Sequence, residues 1–272
     1  MANKYTHEYK MEDIMIIKEL YKGTAHITVF ENRNQMGIAA GKAIACKIRE
    51  LQKQQDEINI MFAAAPSQNE VLAQLITEEG ICWDKINGFH MDEYIGMGSD
   101  NPAGFVNYLK RVLFTQVPFR AIYCLNGMAP DPDKEAERYA DLLKSHPLHI
   151  CVLGIGENGH LAFNDPGVAD FKDAQLVKIV SLDERCKNQQ VHDGCFSSID
   201  QVPSRALTVT IPGLTAARYL YCCVPASTKA EAVRRLVTEE ISCSCPATIL
   251  TMTPNSEIYL DADSAADILS VT

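Results

Sequence analysis

The sequence predicts a single α/β domain built on a mostly parallel β-sheet with helices on both faces. Short runs rich in β-branched and aromatic residues alternate with stretches of helical periodicity along almost all of the 272 residues. At roughly 150 residues per domain, this length allows two small domains or one large domain. No long polar linker or low-complexity segment divides the chain, so we predict one domain over 1–272.

The first half of the chain begins with two strand and helix units. A strand is predicted at 24–30, and apolar residues then recur every three or four positions, which indicates a helix. Its apolar face consists of Ala40, Ile44, Ile48 and Leu51. A second strand is predicted at 58–64. Ser67 and Glu70 have the spacing of a capping box, so we expect Ser67 to cap the helix that follows.

The same alternation continues to the end of the chain. Helices are expected around 105–113, from Pro132 to about Ser145, and around 228–239, with Pro132 suited to a first helical turn. The remaining predicted strands are 85–89, 121–125, 149–153, 176–181, 206–211 and 218–224, and a last strand and helix pair covers 257–269.

Composition narrows the classes of partner and location. The formal net charge is −10, and no run of Lys or Arg interrupts the acidic balance, so nucleic acid and anionic membranes are not expected as partners. No apolar stretch approaches the ~18 residues of a spanning helix, and no signal-peptide pattern opens the chain. We therefore expect a cytoplasmic protein.

The ten cysteines do not resemble a disulfide framework. They are scattered along the chain, several within apolar runs, which favours reduced, buried thiols. Cys243 and Cys245 form one close pair, but no second Cys or His pair follows at zinc spacing. No metal is expected.

Polar residues at the ends of the predicted strands are the first candidates for chemistry, because ligands of open parallel sheets bind outside the carboxyl ends of the strands. Four such segments are 65–68, 90–94, 154–166 and 225–229.

The glycine-rich segment 154–159 formally matches a dinucleotide fingerprint, with Asp183 at a distance suited to a ribose contact. The match is weak, because the turn residues at 164–167 would stop a helix within two turns. A loop shaped only by its turns is one alternative. The alternative we favour is that His160, which follows the glycines and has Asn164 and Asp165 nearby, transfers protons.

Asp92 and Glu93 follow a buried strand. A partly desolvated carboxylate there can act as a base, whereas composition alone favours a solvated turn. Ser67 lacks the sequence context of a nucleophile.

Several long motifs in order resemble the glucosamine-6-phosphate deaminase (isomerase) family over nearly the whole chain. They are FHMDEYIG at 89–96, LNGMAPD at 125–131, GIGENGHLAFNDP at 154–166, QVP at 201–203 and CPA at 245–247. The related 6-phosphogluconolactonases share a Gly-His element but usually lack the Met-Asp-Glu-Tyr segment. The resemblance implies a modified Rossmann-like fold that uses no nucleotide cofactor and no metal, so no cofactor-binding residues are expected. It also implies an oligomer, because many relatives are oligomeric.

By this resemblance, His160 opens the sugar ring and Asp92 moves a proton between C2 and C1. A carboxylate two residues before the histidine and a Glu five residues after it orient the imidazole in the family. Asn158 and Asp165 occupy these positions here. Asp165 is one methylene shorter than Glu, so we expect it to reach less far and expect Asp165→Glu to raise activity.

The phosphate-binding loop of the family is altered. Ala64, Ala65, Pro66 and Ser67 replace its Thr and Gly residues, and Pro66 removes one N–H donor. A family arginine aligns with Gln190. We therefore expect phosphate to be bound by a smaller set of groups, which comprises Ala65, Ser67, Lys229 and Arg185, with Gly156 and Gly159 in the neighbouring loop.

These expectations describe an isomerase and deaminase that converts an amino-sugar phosphate to a ketose phosphate and ammonia, with a sugar phosphate as its small-molecule partner. A lactone hydrolase, in which His160 would activate water, is the alternative on the same fold. A sugar-phosphate sensor without catalysis is a third, although no DNA-binding element is visible. Ammonia release and lactone hydrolysis separate them.

Overall fold

Two β-sheets of different size organise the chain. The computed structural model describes residues 14–98, 100–182, 184–192 and 194–270, and the side chain of Arg185 lies outside this description. The strands of the described residues are β1 (Ile16–Lys22), β2 (Ala25–Phe30), β3 (Ile58–Phe62), β4 (Ile86–His90), β5 (Asp92–Tyr94), β6 (Ala121–Tyr123), β7 (Ile150–Leu153), β8 (Val177–Ser181), β9 (Arg205–Val209), β10 (Tyr219–Val224) and β11 (Ser256–Asp261). The helices are α1 (Arg33–Gln52), α2 (Asn69–Thr77), α3 (Phe105–Leu109), α4 (Pro132–Ser145), α5 (Glu184–His192), α6 (Ile211–Thr215), α7 (Ala230–Thr238) and α8 (Ala266–Leu269).

The larger sheet has eight strands in the order β1-β2-β11-β10-β7-β3-β4-β6. Every neighbouring pair is parallel except β1 and β2. This confirms the predicted α/β class and mostly parallel sheet. The central strands are buried on both faces, which explains why β3 and β10 are almost continuously apolar in sequence.

Helices cover both faces of this sheet. Side chains of α1, α2 and α3 form one apolar cluster with the sheet, and those of α4, α6, α7 and α8 form another. Alternate residues of β3 divide between the two clusters, with Ile60 on one face and Met61 on the other. The four apolar positions predicted for the first helix are all buried in α1.

The smaller sheet corrects one expectation. The strands predicted at 176–181 and 206–211 exist as β8 and β9, but they leave the parallel series and form an antiparallel sheet in the order β5-β9-β8. Its edge strand β5 includes Asp92 and Glu93, where composition alone favours a solvated turn. Met91 alone separates β4 from β5, so the chain passes from one sheet to the other at this point.

Three other elements, β1, α5 and α6, were not predicted, and one predicted cap is wrong. β1 and α5 carry no clear apolar periodicity. Ser67 does not cap α2 but lies in a 3-10 turn over Pro66–Gln68, and α2 begins at Asn69. The Ser67 hydroxyl instead accepts a hydrogen bond from the Gln68 amide at 3.1 Å. None of the helices in the described ranges is long and apolar enough to cross a membrane.

Candidate active site

A cavity opens at the carboxyl ends of four neighbouring strands of the larger sheet. Its walls come from the segments that follow β3, β4, β7 and β10 and from α5. The space between its walls, including the part open to solvent, is about 690 Å³. Parallel sheets bind ligands at this edge, so the four polar segments expected from the sequence converge where the topology predicts.

His160 enters the cavity with one ring nitrogen held from behind. Its Nδ1 lies 2.8 Å from the Asn158 side-chain oxygen and 3.0 Å from Asp165 Oδ1. Both oxygens accept hydrogen bonds, so the Nδ1 proton is fixed on that side. No described residue forms a hydrogen bond with Nε2, and its lone pair in the neutral ring is therefore available to a ligand.

Asp165 is nearly fully buried and carries the negative charge of this group. Burial alone would raise its pKa, but hydrogen bonds from His160, Asn158 and the Cys186 thiol outweigh burial and hold the pKa of Asp165 below its ordinary range. The expectation that the shorter acid reaches less far is wrong, because its oxygen lies within hydrogen-bond distance of the imidazole. The tight loop after β7 brings the two groups together.

Asn158 suits its place because an amide both accepts and donates. Its oxygen accepts from the backbone N–H of His160 at 3.0 Å, and its nitrogen donates to Asp165 at 2.8 Å. A carboxylate at this position would stand against the carboxylate of Asp165. Asn158 and Asp165 thus form a matched pair behind the histidine and do not themselves line the cavity.

Two glycines shape this loop for different reasons. Gly156 lines the cavity, and a Cβ there would lie 2.2 Å from His160 Nε2, so the imidazole packs directly on its backbone. Gly159 has a φ of +87°, and a Cβ there would meet Cys245 Sγ at 2.6 Å. Gly159, which was expected to contact substrate, faces the segment after α7 and does not line the cavity.

Asp92 contributes a buried carboxyl group to the opposite wall. Burial, and to a smaller extent the neighbouring Glu93, raise the pKa of Asp92 well above its ordinary value. A carboxylate with a raised pKa is a stronger base than a solvated one. Asp92 therefore does not lie in the solvated turn that composition favours.

Glu93 has a structural role. Its carboxylate accepts hydrogen bonds from the backbone N–H groups of Phe105 and Val106, at the start of α3. Burial raises the pKa of Glu93, although these backbone donors oppose the shift. Of the two adjacent acids, only Asp92 lines the cavity.

The two walls are joined through β9. Asp92 pairs with Thr208 in the antiparallel ladder. The Thr208 hydroxyl accepts a hydrogen bond from the backbone of Phe163 at 3.1 Å, and Asn164 donates to the Val209 carbonyl at 2.8 Å. One strand thus contacts both Asp92 and the loop that carries His160.

Ala65, Ser67 and Lys229 line the same cavity, as expected for the phosphate-binding end. Lys229 is buried and is the one Lys or Arg among the described lining residues. Gln190 also lines the cavity, and its amide oxygen accepts a hydrogen bond from the Tyr94 hydroxyl at 2.8 Å. Arg185 belongs to α5, but its side chain lies outside the described residues.

The dinucleotide alternative does not fit this geometry. Residues 154–176, all of them described, contain no helix that could hold a pyrophosphate at its N-terminus. Asp183, expected to contact a ribose, lies outside the described residues. Within the described ranges, no group of three or more His, Cys, Asp or Glu could hold a metal ion.

A model of the family described as glucosamine-6-phosphate isomerases/6-phosphogluconolactonase matches residues 31–259. The chain belongs to this family. The match includes every residue that lines the cavity, from Ala63 to Lys229. The resemblance stated from the sequence motifs is confirmed, and the chain is an enzyme of the glucosamine-6-phosphate isomerase family.

Similar proteins include bacterial deaminases. The glucosamine-6-phosphate deaminase of Lysinibacillus sphaericus is 35% identical over 192 residues, which cover 71% of this chain and 85% of that protein. The glucosamine-6-phosphate deaminase of Bacillus cytotoxicus is 28% identical over 239 residues, or 88% of this chain and 87% of that protein. Both alignments cover most of this chain and most of the relative.

Solved structures share the fold. A monomeric glucosamine-6-phosphate deaminase superposes with a TM-score of 0.80 at 28% identity, covering 89% of this chain and 99% of that chain. The 6-phosphogluconolactonase of Trypanosoma brucei gives a TM-score of 0.73 at 19% identity, covering 92% of this chain and 100% of that chain. At that identity the second likeness concerns the fold alone.

The sequence did not indicate every residue of the cavity. Gln189 and Cys195 line it but were not proposed, and the aromatic rings of Phe105 and Phe163 form part of its wall. Gln189 accepts a hydrogen bond from the backbone of Glu157 at 2.9 Å. The missed helix α5 carries this residue, and no sequence signal stronger than its position between β8 and β9 could have indicated it.

Proposed function

We propose that this enzyme converts an amino-sugar phosphate, similar to glucosamine 6-phosphate, to a ketose phosphate and ammonia. The observation that carries the proposal is the pairing, in one cavity, of a buried carboxyl group at Asp92 and a histidine whose Nδ1 is held by Asp165. The family membership and the similarity to deaminases support it. One water molecule is consumed for each ammonia released.

Ring opening falls to His160. Its Nε2 can accept the proton of the anomeric hydroxyl and then, as imidazolium, give that proton to the ring oxygen as the ring C–O bond breaks. Asp165 stabilises the imidazolium between the two transfers. Asn158 holds the ring in the required orientation without adding a second negative charge.

The carbon-acid step falls to Asp92. The carboxylate removes the proton from C2 of the open-chain sugar and returns it to C1, which leaves an imine at C2. Water then adds to this imine, and ammonia leaves as the C2 ketone forms. The raised pKa of Asp92 suits both halves of the transfer, because the group must take the proton and then give it up.

Phosphate binding falls to Lys229, the Ser67 hydroxyl and backbone N–H groups near Ala65. The proposed set has fewer charges than a site with an added guanidinium, since the neutral Gln190 lines the cavity. We therefore propose an amino-sugar phosphate as the substrate. Assays with a panel of such compounds would identify the particular sugar.

The test compares Asp92→Asn with the wild-type protein and with Glu93→Gln. Each protein is incubated with amino-sugar 6-phosphates in heavy water, and deuterium at C1 of the product and ammonia are measured. Asp92→Asn should lower both by about 10²–10⁴-fold. Glu93→Gln should retain them, because its side chain faces α3.

An Asp92→Asn variant with unchanged exchange and turnover would remove Asp92 from the mechanism. Wild-type protein that hydrolyses 6-phosphogluconolactone and releases no ammonia would favour the lactone hydrolase. Binding of sugar phosphates without turnover in either assay would favour the sensor.

We also propose that the enzyme acts in the cytoplasm as a homo-oligomer. Both statements are predictions from the sequence and from resemblance, and the similar deaminase of solved structure is monomeric. Light scattering of the purified chain at micromolar concentration tests the oligomeric state, and a mass of one chain would contradict it.

A further inference from the structure

His90, the last residue of β4, is a buried histidine that the mechanism above does not use. Its Nε2 accepts a hydrogen bond from the backbone N–H of Leu125 at 2.9 Å, and its Nδ1 lies 2.9 Å from the backbone oxygen of Asp92. A backbone N–H can only donate and a carbonyl can only accept. The ring is therefore neutral and carries its proton on Nδ1.

Burial agrees with this assignment, because it lowers the pKa of His90 to about 4. At neutral pH the ring serves as a fixed donor and acceptor rather than as a proton carrier. It joins the ends of β4 and β6 to the first residue of β5.

The backbone oxygen of Asp92 has no partner in the small sheet. The Met91 oxygen accepts from Val209, and the Ile95 N–H donates to Arg205, so the bonds to β9 come from alternate residues on either side of Asp92. In such a ladder, the intervening carbonyl points away from the paired strand. Since β5 is an edge strand, the imidazole of His90 takes the place of a second strand.

The histidine is itself anchored from α4. The Tyr139 hydroxyl donates to the backbone oxygen of His90 at 2.8 Å and accepts from its N–H at 3.1 Å. Both the backbone and the ring of His90 are thus fixed, while Asp92 lies at the start of a strand of only three residues.

We propose that His90 is a positioning residue of the reaction, whose Nδ1–H holds the Asp92 carbonyl and thereby aims the Asp92 carboxylate into the cavity. The inference rests on the role proposed above for Asp92. On this inference, loss of the Nδ1 hydrogen bond to Asp92 lowers the reaction rate, whereas loss of the Nε2 hydrogen bond from Leu125 lowers only stability.

Two substitutions separate these bonds. His90→Asn places an amide nitrogen near the position of Nδ1 and can keep the bond to the Asp92 carbonyl. His90→Gln places an amide oxygen near the position of Nε2 and can keep the bond from Leu125. Each loses one buried hydrogen bond, so a purely structural role predicts equal effects on stability and on activity.

We expect His90→Asn to keep kcat within about threefold of wild type. His90→Gln should lower kcat by about 10–100-fold with little change in KM, as expected when a catalytic group is displaced by a fraction of an ångström. Both variants should unfold at similar urea concentrations. Equal losses of kcat, or a greater loss in His90→Asn, would overturn the inference.

Crystal structures of both variants give a second, independent readout. The Asp92 carbonyl should keep its place in His90→Asn and shift in His90→Gln, and an unmoved Asp92 in His90→Gln would also overturn the inference. This readout decides the matter even if the wild-type protein releases no ammonia, which would refute the proposed function and not the positioning.

If neither variant folds, Tyr139→Phe, which frees the His90 peptide, should lower kcat severalfold at unchanged KM, and unaltered kcat would count against the inference.

Discussion

Replacement of Gly156 by alanine should displace His160 and leave most of the fold intact. The new Cβ would lie 2.2 Å from Nε2 and 2.4 Å from Nδ1 of His160, where ordinary contact begins at 3.4 Å. The nearest ring atom, Cε1, would be only 2.1 Å away, so the ring must move by about 1.3 Å. The backbone at Gly156 is open to alanine because its φ is not positive, so the effect comes from the contact alone.

The size of the effect follows from the bonds that would stretch. The Nδ1 distances of 2.8 Å to Asn158 and 3.0 Å to Asp165 cannot both survive such a shift. A misplacement of about 1 Å lowers the rate by about 10²-fold, or about 2.7 kcal/mol in the activation barrier. Overpacking should also lower the free energy of unfolding by about 1–3 kcal/mol.

The assay is ammonia release at saturating amino-sugar phosphate, together with urea unfolding. Gly98→Ala is the matched control, because its Cβ would meet only the end of the Asp100 side chain, at 3.3 Å. The control should keep full activity. A Gly156→Ala protein whose kcat stays within threefold of wild type would refute this account of the loop, as would a lower kcat with His160 unmoved in its crystal structure.

Three further predictions concern single side chains. Because folding raises the pKa of Asp92, its contribution to stability is lost as pH rises from about 4 through the folded pKa, by about 1.4 kcal/mol per unit. Asp92→Asn should therefore unfold at higher urea concentration than wild type at pH 7.5, and an advantage that does not shrink towards pH 4 would contradict this. Lys229→Ala should weaken a phosphorylated sugar by about 1.5–3 kcal/mol relative to its unphosphorylated parent, whereas the exposed-site control Lys134→Ala should not, as measured by calorimetric titration. Asp165→Glu should lower activity rather than raise it, since the added methylene has to fit a buried site whose hydrogen bonds are already made, and faster ammonia release would show that Asp165 under-supports the imidazole.

The sequence predicted the parts of this site that depend on the ends of apolar strands. Asp92, His160 and Lys229 all follow buried strands, and the parallel topology brings such ends to one edge of the sheet. The helix from Pro132 to about Ser145 is also predicted with its observed bounds, because Pro132 marks its first turn.

Features that depend on distant partners were missed. α5 is too polar to show a periodic face, and one hydrogen bond that fixes it, between Tyr94 and Gln190, joins residues 96 positions apart. The reach of Asp165 depends on the path of the loop and not on side-chain length alone. Likewise, β8 and β9 could be predicted as strands. Their separation from the large sheet depends on pairing with β5, which cannot be predicted from the short and mostly charged sequence of that strand.

The shared contacts of β9 bear on how the site loses its order. Thr208 pairs with Asp92 and also accepts a hydrogen bond from the loop of His160, so the two groups cannot separate without breaking the same strand away. Local opening of a protein occurs in contiguous cooperative units. Amide protons at 206–209 should accordingly exchange with solvent with one common free energy of opening. Partial denaturation should abolish proton transfer at carbon and ring opening together rather than one before the other.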